Sequence, residues 1–453
     1  MSISNFSKTH KKWNLFKEID VLGSYDFFTS IVHLSSLKPI DIQGMNSAIM
    51  FFGAKGGKET NKLTSEQYSM LSKVLPLAAH EYTHFIDSTS TLWGLRHLAM
   101  LNEAYLADNK MGGSEYEFHL ARRFYDHARS IHLPKYYTTI EDKVSDVRPW
   151  QSKITMGKIF TSDGSPSGKP VLFSRFLNAN NESLTRSPIS AISILEASAM
   201  AQELFMQSRL INQSESDFRT IENNLSERKI MSDLYNKNLT EYSVCVHVLS
   251  NRLGCSEGVA SFSVCAVLTR LVLNMPKSCL NTVLKECDVA RVVGIPSGHE
   301  FELRMLEGIK QGDLGILFYL LCCALPRRDY TSHPIIMQGV NRALKKLGLT
   351  ISAMTLHGQI EAKKLHGDMQ HSKIDSVRDL AGAGYSNFLK LGYNSGFLDF
   401  NELNIPPVLL EDFSSTNIFS STNNSLANFD INKSYDELVS GQEWVERFSE
   451  ACL

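Results

Sequence analysis

The segment Leu75-Pro76-Leu77-Ala78-Ala79-His80-Glu81-Tyr82-Thr83-His84-Phe85-Ile86-Asp87 makes two demands that are hard to meet together. Its apolar and aromatic residues fall on all sides of a helix, the pattern of a helix buried on most faces. Yet it carries two histidines, a glutamate and an aspartate, and burying such groups without partners costs several kcal/mol each. At about 100° per residue His80 and His84 lie one turn apart on one face, where two imidazoles can meet one ion, and Glu81 sits beside them. Neutral imidazoles suit Zn²⁺, and a carboxylate next to a zinc-bound water can take its proton once the ion has lowered that water's pKa to about 7. Composition alone yields His-Glu-x-x-His in roughly one chain in forty of this make-up, so the apolar surroundings carry as much of the argument as the pattern does. Asp87 lies on the same face, three positions after His84, where it can orient an imidazole from behind or cap the helix end.

Zinc held for hydrolysis takes three protein ligands and leaves one position open, so a third side chain is required. Two glutamates compete. Glu103 follows His84 on the next helical pattern, Leu95-Arg96-His97-Leu98-Ala99-Met100-Leu101-Asn102-Glu103-Ala104-Tyr105, and an antiparallel hairpin could bring it level with the histidines. Glu196 stands in Ile194-Leu195-Glu196-Ala197-Ser198-Ala199-Met200-Ala201, whose small residues allow close helix approach. Ser187 and Pro188 are expected as N-cap and first residue of that helix. Tyr105, Tyr242 and His247 are candidates, by residue type, for the donor that stabilises the oxyanion.

The chain of 453 residues is 43% hydrophobic and 21% charged, enough apolar material for one large or two medium domains. A net charge of -2 gives no general attraction for nucleic acid or an anionic membrane, and neither is expected as a partner. The N-terminus lacks the apolar core of a secretory signal, and the longest apolar run, residues 314–325, is too short to span a bilayer of ~30 Å. It reads as a core helix stopped by Pro326. All eight cysteines, Cys245, Cys255, Cys265, Cys279, Cys287, Cys322, Cys323 and Cys452, lie in the second half without a Cys-x-x-Cys, and most have apolar neighbours. Buried free thiols in a reducing cytoplasm are the expectation.

In chain order, Ser47-Ala48-Ile49-Met50-Phe51-Phe52 reads as a strand before a Gly-rich turn at 53–58, with an edge that could take an extended peptide. Thr64-Ser65-Glu66-Gln67 has capping-box chemistry, starting a helix expected to break near Leu75-Pro76. The motif helix should end in Asp87-Ser88-Thr89-Ser90-Thr91. Beyond residue 205 the pattern is helical and less specific. His357, His366 and His371 lie among lysines on a solvated surface, and a Ser/Asn-rich stretch at 412–433 precedes a short terminal helix near 435–448.

The run His80-Glu81-Tyr82-Thr83-His84-Phe85-Ile86-Asp87-Ser88-Thr89-Ser90-Thr91-Leu92-Trp93-Gly94-Leu95, with Leu195-Glu196-Ala197-Ser198-Ala199 further on, resembles a group of bacterial HExxH metallopeptidase-like (zincin/gluzincin-like) proteins. In that group His-Glu-x-x-His-Phe precedes Ser-Thr-x-Tyr/Trp-Gly-Leu and a later Leu-Glu-x-x-Ala. The resemblance covers residues 70 to 205 and implies Glu196 as third ligand. Leu101-Asn102-Glu103-Ala104-Tyr105 is instead similar to the Asn-Glu-Ala segment of thermolysin-like and aminopeptidase-like gluzincins, which keeps Glu103 as runner-up.

The expectation is therefore an α+β, predominantly helical protein. It has a zincin-like core at 1–210, a helical region at 211–410 and a Ser/Asn-rich loop with a terminal helix at 411–453. Its expected activity is that of a cytoplasmic zinc metalloprotease acting on a protein or peptide, with Glu81 as general base and His80, His84 and Glu196 on Zn²⁺. The alternative is a regulatory or protein-binding module with a structural or vestigial zinc site, its C-terminal helices contacting a partner protein.

Overall fold

A computed structural model describes residues 22–54, 62–107, 115–161, 164–254, 258–393, 396–421 and 423–451. The expected Gly-rich turn from residue 55 onward, the N-terminal residues 1–21, Cys255 and Cys452 lie outside them. Eight helices surround the histidines: α1 (Pro39–Ala54), α2 (Ser65–Thr89), α3 (Leu92–Ala107), α4 (Glu115–Ile131), α5 (Ala191–Asn212), α6 (Ser216–Leu234), α7 (Thr240–Leu253) and α8 (Gly258–Leu273). Further helices from Lys277 to Ala451 complete a mostly helical protein. The strands are β1 (Ser24–Asp26), β2 (Ile31–Leu34), β3 (Thr139–Ile140), β4 (Gln151–Phe160), β5 (Pro166–Leu177), β6 (Ser183–Ile189), β7 (Val408–Leu410) and β8 (Ser415–Thr416). They form two small sheets, in the orders β1-β2-β7-β8 and β3-β6-β5-β4.

Helix α2 is the axis of the molecule. It starts where Thr64 and Gln67 cap each other, Gln67 N–H donating to Thr64 Oγ1 at 3.3 Å and Thr64 N–H to Gln67 Oε1 at 3.1 Å. The expected break at Pro76 does not occur, and one helix of 25 residues runs through it. Proline removes one helical hydrogen bond, a cost of about 3 kcal/mol. Every residue from Ala78 to Thr89 is buried, so the turns beyond Pro76 are held by packing on all sides. Inside that wall the hydroxyls bond backward: Thr83 Oγ1 donates to the Ala79 carbonyl at 2.6 Å and Thr89 Oγ1 to that of Phe85 at 2.7 Å.

The helix ends at Ser90 and the chain turns straight into α3. Thr91 Oγ1 donates to the Asp87 carbonyl at 2.6 Å and accepts from Gly94 N–H at 3.0 Å. Gly94 is what the turn requires, because a Cβ there would stand 2.4 Å from the Ser88 carbonyl carbon. Leu95, Leu98 and Leu101 then pack inward along α3, as the helical hairpin demands. Across the same end of α2, Gly384 of the helix Asp375–Leu391 meets the Thr89 carbonyl, where a Cβ would sit at 2.1 Å.

Two expected elements differ from the structure. Residues 47–52 are not a strand but the second half of α1, whose buried Met45 and Ala48 are three positions apart and whose Ile49 and Met50 are exposed. A short apolar run reads alike in both states, and here helical spacing decides. The strands lying against α2 are β2 and β1, contributed by a segment nearer the N-terminus. Ser187 and Pro188 do not open the next helix either. They close β6, Pro188 opposite Phe173 of β5 and Ser187 opposite Ser174. Strand β3 pairs β6 through Thr185 and Arg186, so Pro188's missing N–H faces no third strand. Helix α5 begins three residues later, with Ser190 as N-cap.

The second half behaves as a helical scaffold. Leu314–Ala324 is a buried core helix ended before Pro326, and the terminal helix spans Ile431–Ala451. No described helix is long and apolar enough to cross a membrane by itself. Strand β7 returns to lie parallel to β2, His33 opposite Leu409. One continuous apolar cluster joins Tyr25 and Phe85 to Leu195, Leu268, Phe318, Leu380 and Val445.

Because Gly94 faces backbone rather than a side chain that could swing away, Gly94→Ala should lower stability by about 1–3 kcal/mol. Thermal unfolding of the variant checks it, and an unchanged midpoint would show that the end of α2 is free to shift.

Candidate metal centre

Helices α2 and α5 pack against each other at the histidines, and Ala197, Ala199 and Ala201 of α5 are buried. The close approach brings Glu196 against His80 and His84. His80 Nε2 and His84 Nε2 are 3.3 Å apart; Glu196 Oε2 lies 3.4 Å from His80 Nε2, and Oε1 lies 3.6 Å from His84 Nε2. Four ligands placed tetrahedrally at 2.0–2.1 Å around Zn²⁺ are ~3.3 Å from one another. The two imidazole nitrogens and the two oxygens of one carboxylate thus lie close to that spacing, and one ligand atom from each of the three residues lies within 4.8 Å of the others. Among the described residues this is the one group of three or more His, Cys, Asp or Glu whose ligand atoms converge in this way.

The structure brings Glu196, and not Glu103, to this point. Glu103 lies on the outer face of α3, half exposed, with Arg123 Nη1 3.9 Å away. The pocket has a member that the sequence reading missed. Glu203 Oε2 lies 3.0 Å from His80 Nδ1, so the imidazole is held on one side by a carboxylate while its Nε2 faces the centre. Such a carboxylate fixes the ring and its tautomer and strengthens the nitrogen as a ligand. The signal was present: Glu203 follows Glu196 by seven positions, two turns of the same helix face.

Electrostatics point the same way. Burial alone would push the His80 imidazole down, but the hydrogen-bonded carboxylates of Glu196 and Glu203 outweigh it and hold His80 well above its ordinary value of 6.5. Burial alone would push Glu196 up, and the charge and hydrogen bonds of His84 and His80 bring it down to about 2. Glu81 is raised by burial, opposed by the two imidazoles. Three carboxylates around two imidazoles leave a buried excess of negative charge that a proton or a divalent cation must balance.

Glu81 is 5% exposed, and Gly23, at the start of β1, leaves room for it: a Cβ there would stand 2.8 Å from Glu81 Oε1. Both Glu81 and His80 border a cleft of about 520 Å³. Tyr242 lines this cleft; the other two oxyanion candidates do not. Tyr105 donates its hydroxyl to the Phe28 carbonyl at 3.1 Å, and His247 Nε2 pairs with the Leu234 carbonyl at 2.7 Å beside Trp150.

Asp87 does not bond His84, whose Nδ1 is buried without a hydrogen bond among the described residues. Its carboxylate faces Arg270 of α8, Oδ1 to Nη1 at 3.1 Å, with both side chains 1% exposed or less. Burial raises the Asp87 carboxyl, and the Arg270 charge opposes that rise. The pair ties α8 to the floor of the metal helix. Removing one partner of such a buried pair costs about 3–5 kcal/mol, because the other charge is left uncompensated.

Comparison of the chain with protein-family models, with curated proteins and with solved structures finds no match.

Zinc titration of the purified chain should give about one ion per molecule. Glu196→Ala should lose it, Glu103→Ala should keep it, and Glu203→Ala should weaken it ~10–100-fold. Affinity should fall as pH is lowered, by about tenfold per pH unit for each proton displaced from the imidazoles. The sign for the metal-free protein is opposite. His80's raised value contributes stability that is fully present below pH 6.5 and is lost as pH rises through that raised value. Metal kept in Glu196→Ala and lost in Glu103→Ala would overturn the assignment.

Proposed function

We propose that this chain is a zinc-dependent peptidase of the zincin type, related to the bacterial HExxH proteins its motif resembles, that hydrolyses peptide bonds of a protein or peptide. The observation that carries the reading is the convergence of His80, His84 and Glu196 to within 4.8 Å, with His80 and the buried Glu81 bordering one cleft. A structural zinc site closes all four positions with protein atoms; three ligands next to a cleft leave the fourth for water or substrate. The thiols of Cys245, Cys265 and Cys322, buried and unbridged, fit a cytoplasmic protein.

When bound, the ion polarises the scissile carbonyl and lowers the pKa of the attacking water. The remaining steps belong to this chain. His80, His84 and Glu196 hold the ion, and Glu203 keeps His80 turned towards it. Glu81 takes the water's proton and delivers it to the leaving amine, a transfer its burial favours by bringing its carboxyl nearer to neutrality. Tyr242, which lines the cleft, is the candidate donor to the oxygen that becomes negative. The apolar walls around Glu81 thin the water that would compete for these groups.

The test is Glu81→Gln, which keeps the shape and removes the base. Zinc content should be unchanged while hydrolysis of a quenched-fluorescence peptide library falls by ~10²-fold or more. Zinc retained with no hydrolysis by the unaltered protein would favour the regulatory module, and zinc lost in Glu81→Gln would make Glu81 structural.

A further inference from the structure

The cleft beside His80 and Glu81 is unevenly charged. Its far wall is α6, of whose 19 residues Ile230 and Leu234 are the buried ones. The inner side of α6 therefore faces the cleft rather than the core. Leu77, Met200, Leu204, Leu234 and Phe262 supply an apolar lining. Glu81, Glu203, Glu222 and Asp233 line the same space, against the single ammonium of Lys229. Glu222, three turns before Asp233 on α6, is engaged, accepting from the Tyr68 hydroxyl at 3.0 Å.

Asp233 is different. It is half-buried, and it makes no side-chain hydrogen bond or ion pair among the described residues. Burial raises its carboxyl, Lys229 one turn earlier opposes the rise, and the like charge of Glu203 adds to it. Glu81, more than nine-tenths buried, also borders the cleft without a hydrogen bond among the described residues. Two carboxylates that repel each other in a half-dry space, beside a third that lacks a partner, favour an incoming cation. A second metal ion fits poorly, since no other trio of ligand atoms converges among the described residues. The apolar walls instead suit a cation carried on an aliphatic stem.

We propose that this cleft selects peptides with a lysine or arginine next to the scissile bond, the stem lying along Leu77, Met200, Leu204 and Leu234 and the cationic head meeting Asp233. The inference rests on the peptidase reading for its ligand class and deepens it. Asp233 is then a specificity residue, Glu203 keeps its place behind His80, and acidic side chains are disfavoured at that position.

The experiment is calorimetric titration of the zinc-loaded Glu81→Gln protein, in which peptide stays intact, and of the metal-free unaltered protein, in which Glu81 keeps its charge, each with and without Asp233→Asn. The probes are blocked hexapeptides identical except for one central residue: lysine, norleucine or glutamate. Norleucine keeps the stem and drops the charge. The lysine peptide should bind about tenfold more tightly than the norleucine peptide, and the glutamate peptide more weakly than both. Asp233→Asn should bring lysine and norleucine within about twofold by weakening the lysine peptide alone. Equal or tighter binding of norleucine, a lysine preference that survives Asp233→Asn, or no binding of any probe would each overturn the inference. Turnover by the unaltered protein is read separately: lysine preference without hydrolysis would contradict the peptidase reading and leave the charge selection standing.

Discussion

Ionisable groups buried in an apolar helix govern this structure. Helix α2 could be a plain core helix were it not for His80, Glu81, His84 and Asp87, each of which must find compensation where water does not reach. The compensation comes from other helices and fixes their placement. Helix α5 brings Glu196 and Glu203 to the histidines, and α8 brings Arg270 to Asp87. Gly94 at the hairpin and Gly384 opposite Thr89 are steric conditions for close packing around the end of α2. Packing density and charge compensation are thus met by the same contacts.

This arrangement divides the polar residues of α2 into two layers. The upper layer, at the cleft, gathers the carboxylates of Glu81, Glu196 and Glu203 about two imidazoles. The lower layer is the buried ion pair of Asp87 with Arg270. Asp87, on the same helix as the imidazoles, offsets the positive charge of Arg270 with its own carboxylate. The cleft walls extend the negative character outward through Glu203 and Asp233.

Much of the centre was legible because helical periodicity is local. His80 and His84 at i and i+4, with Glu81 adjacent, follow from 3.6 residues per turn, and the hydroxyl-rich end of α2 follows from side chains that compete for backbone groups. Glu196 was legible in part, through its small neighbours and the resemblance of its segment. Glu203 was overlooked although the same periodicity puts it two turns along the same face. Arg270 could have been found too, as a lone charge inside the apolar run Val264-Cys265-Ala266-Val267-Leu268-Thr269-Arg270-Leu271-Val272-Leu273, which demands a buried partner. What the sequence hid was tertiary. Pro76 stays helical because burial outweighs its lost hydrogen bond. Residues 47–52 are helical because α1 packs Met45 and Ala48 inward. Pro188 sits in a strand because no neighbour needs its N–H.

The central claim is that α2 and α5 meet around one ion held by His80, His84 and Glu196. X-ray absorption at the zinc edge of the metal-loaded protein addresses it directly. The account predicts a shell of nitrogen and oxygen at ~2.0–2.1 Å with the outer-shell scattering of two imidazoles, and loss of that spectrum in His84→Ala. A sulfur shell at ~2.3 Å, or two-imidazole scattering that persists in His84→Ala, would contradict it.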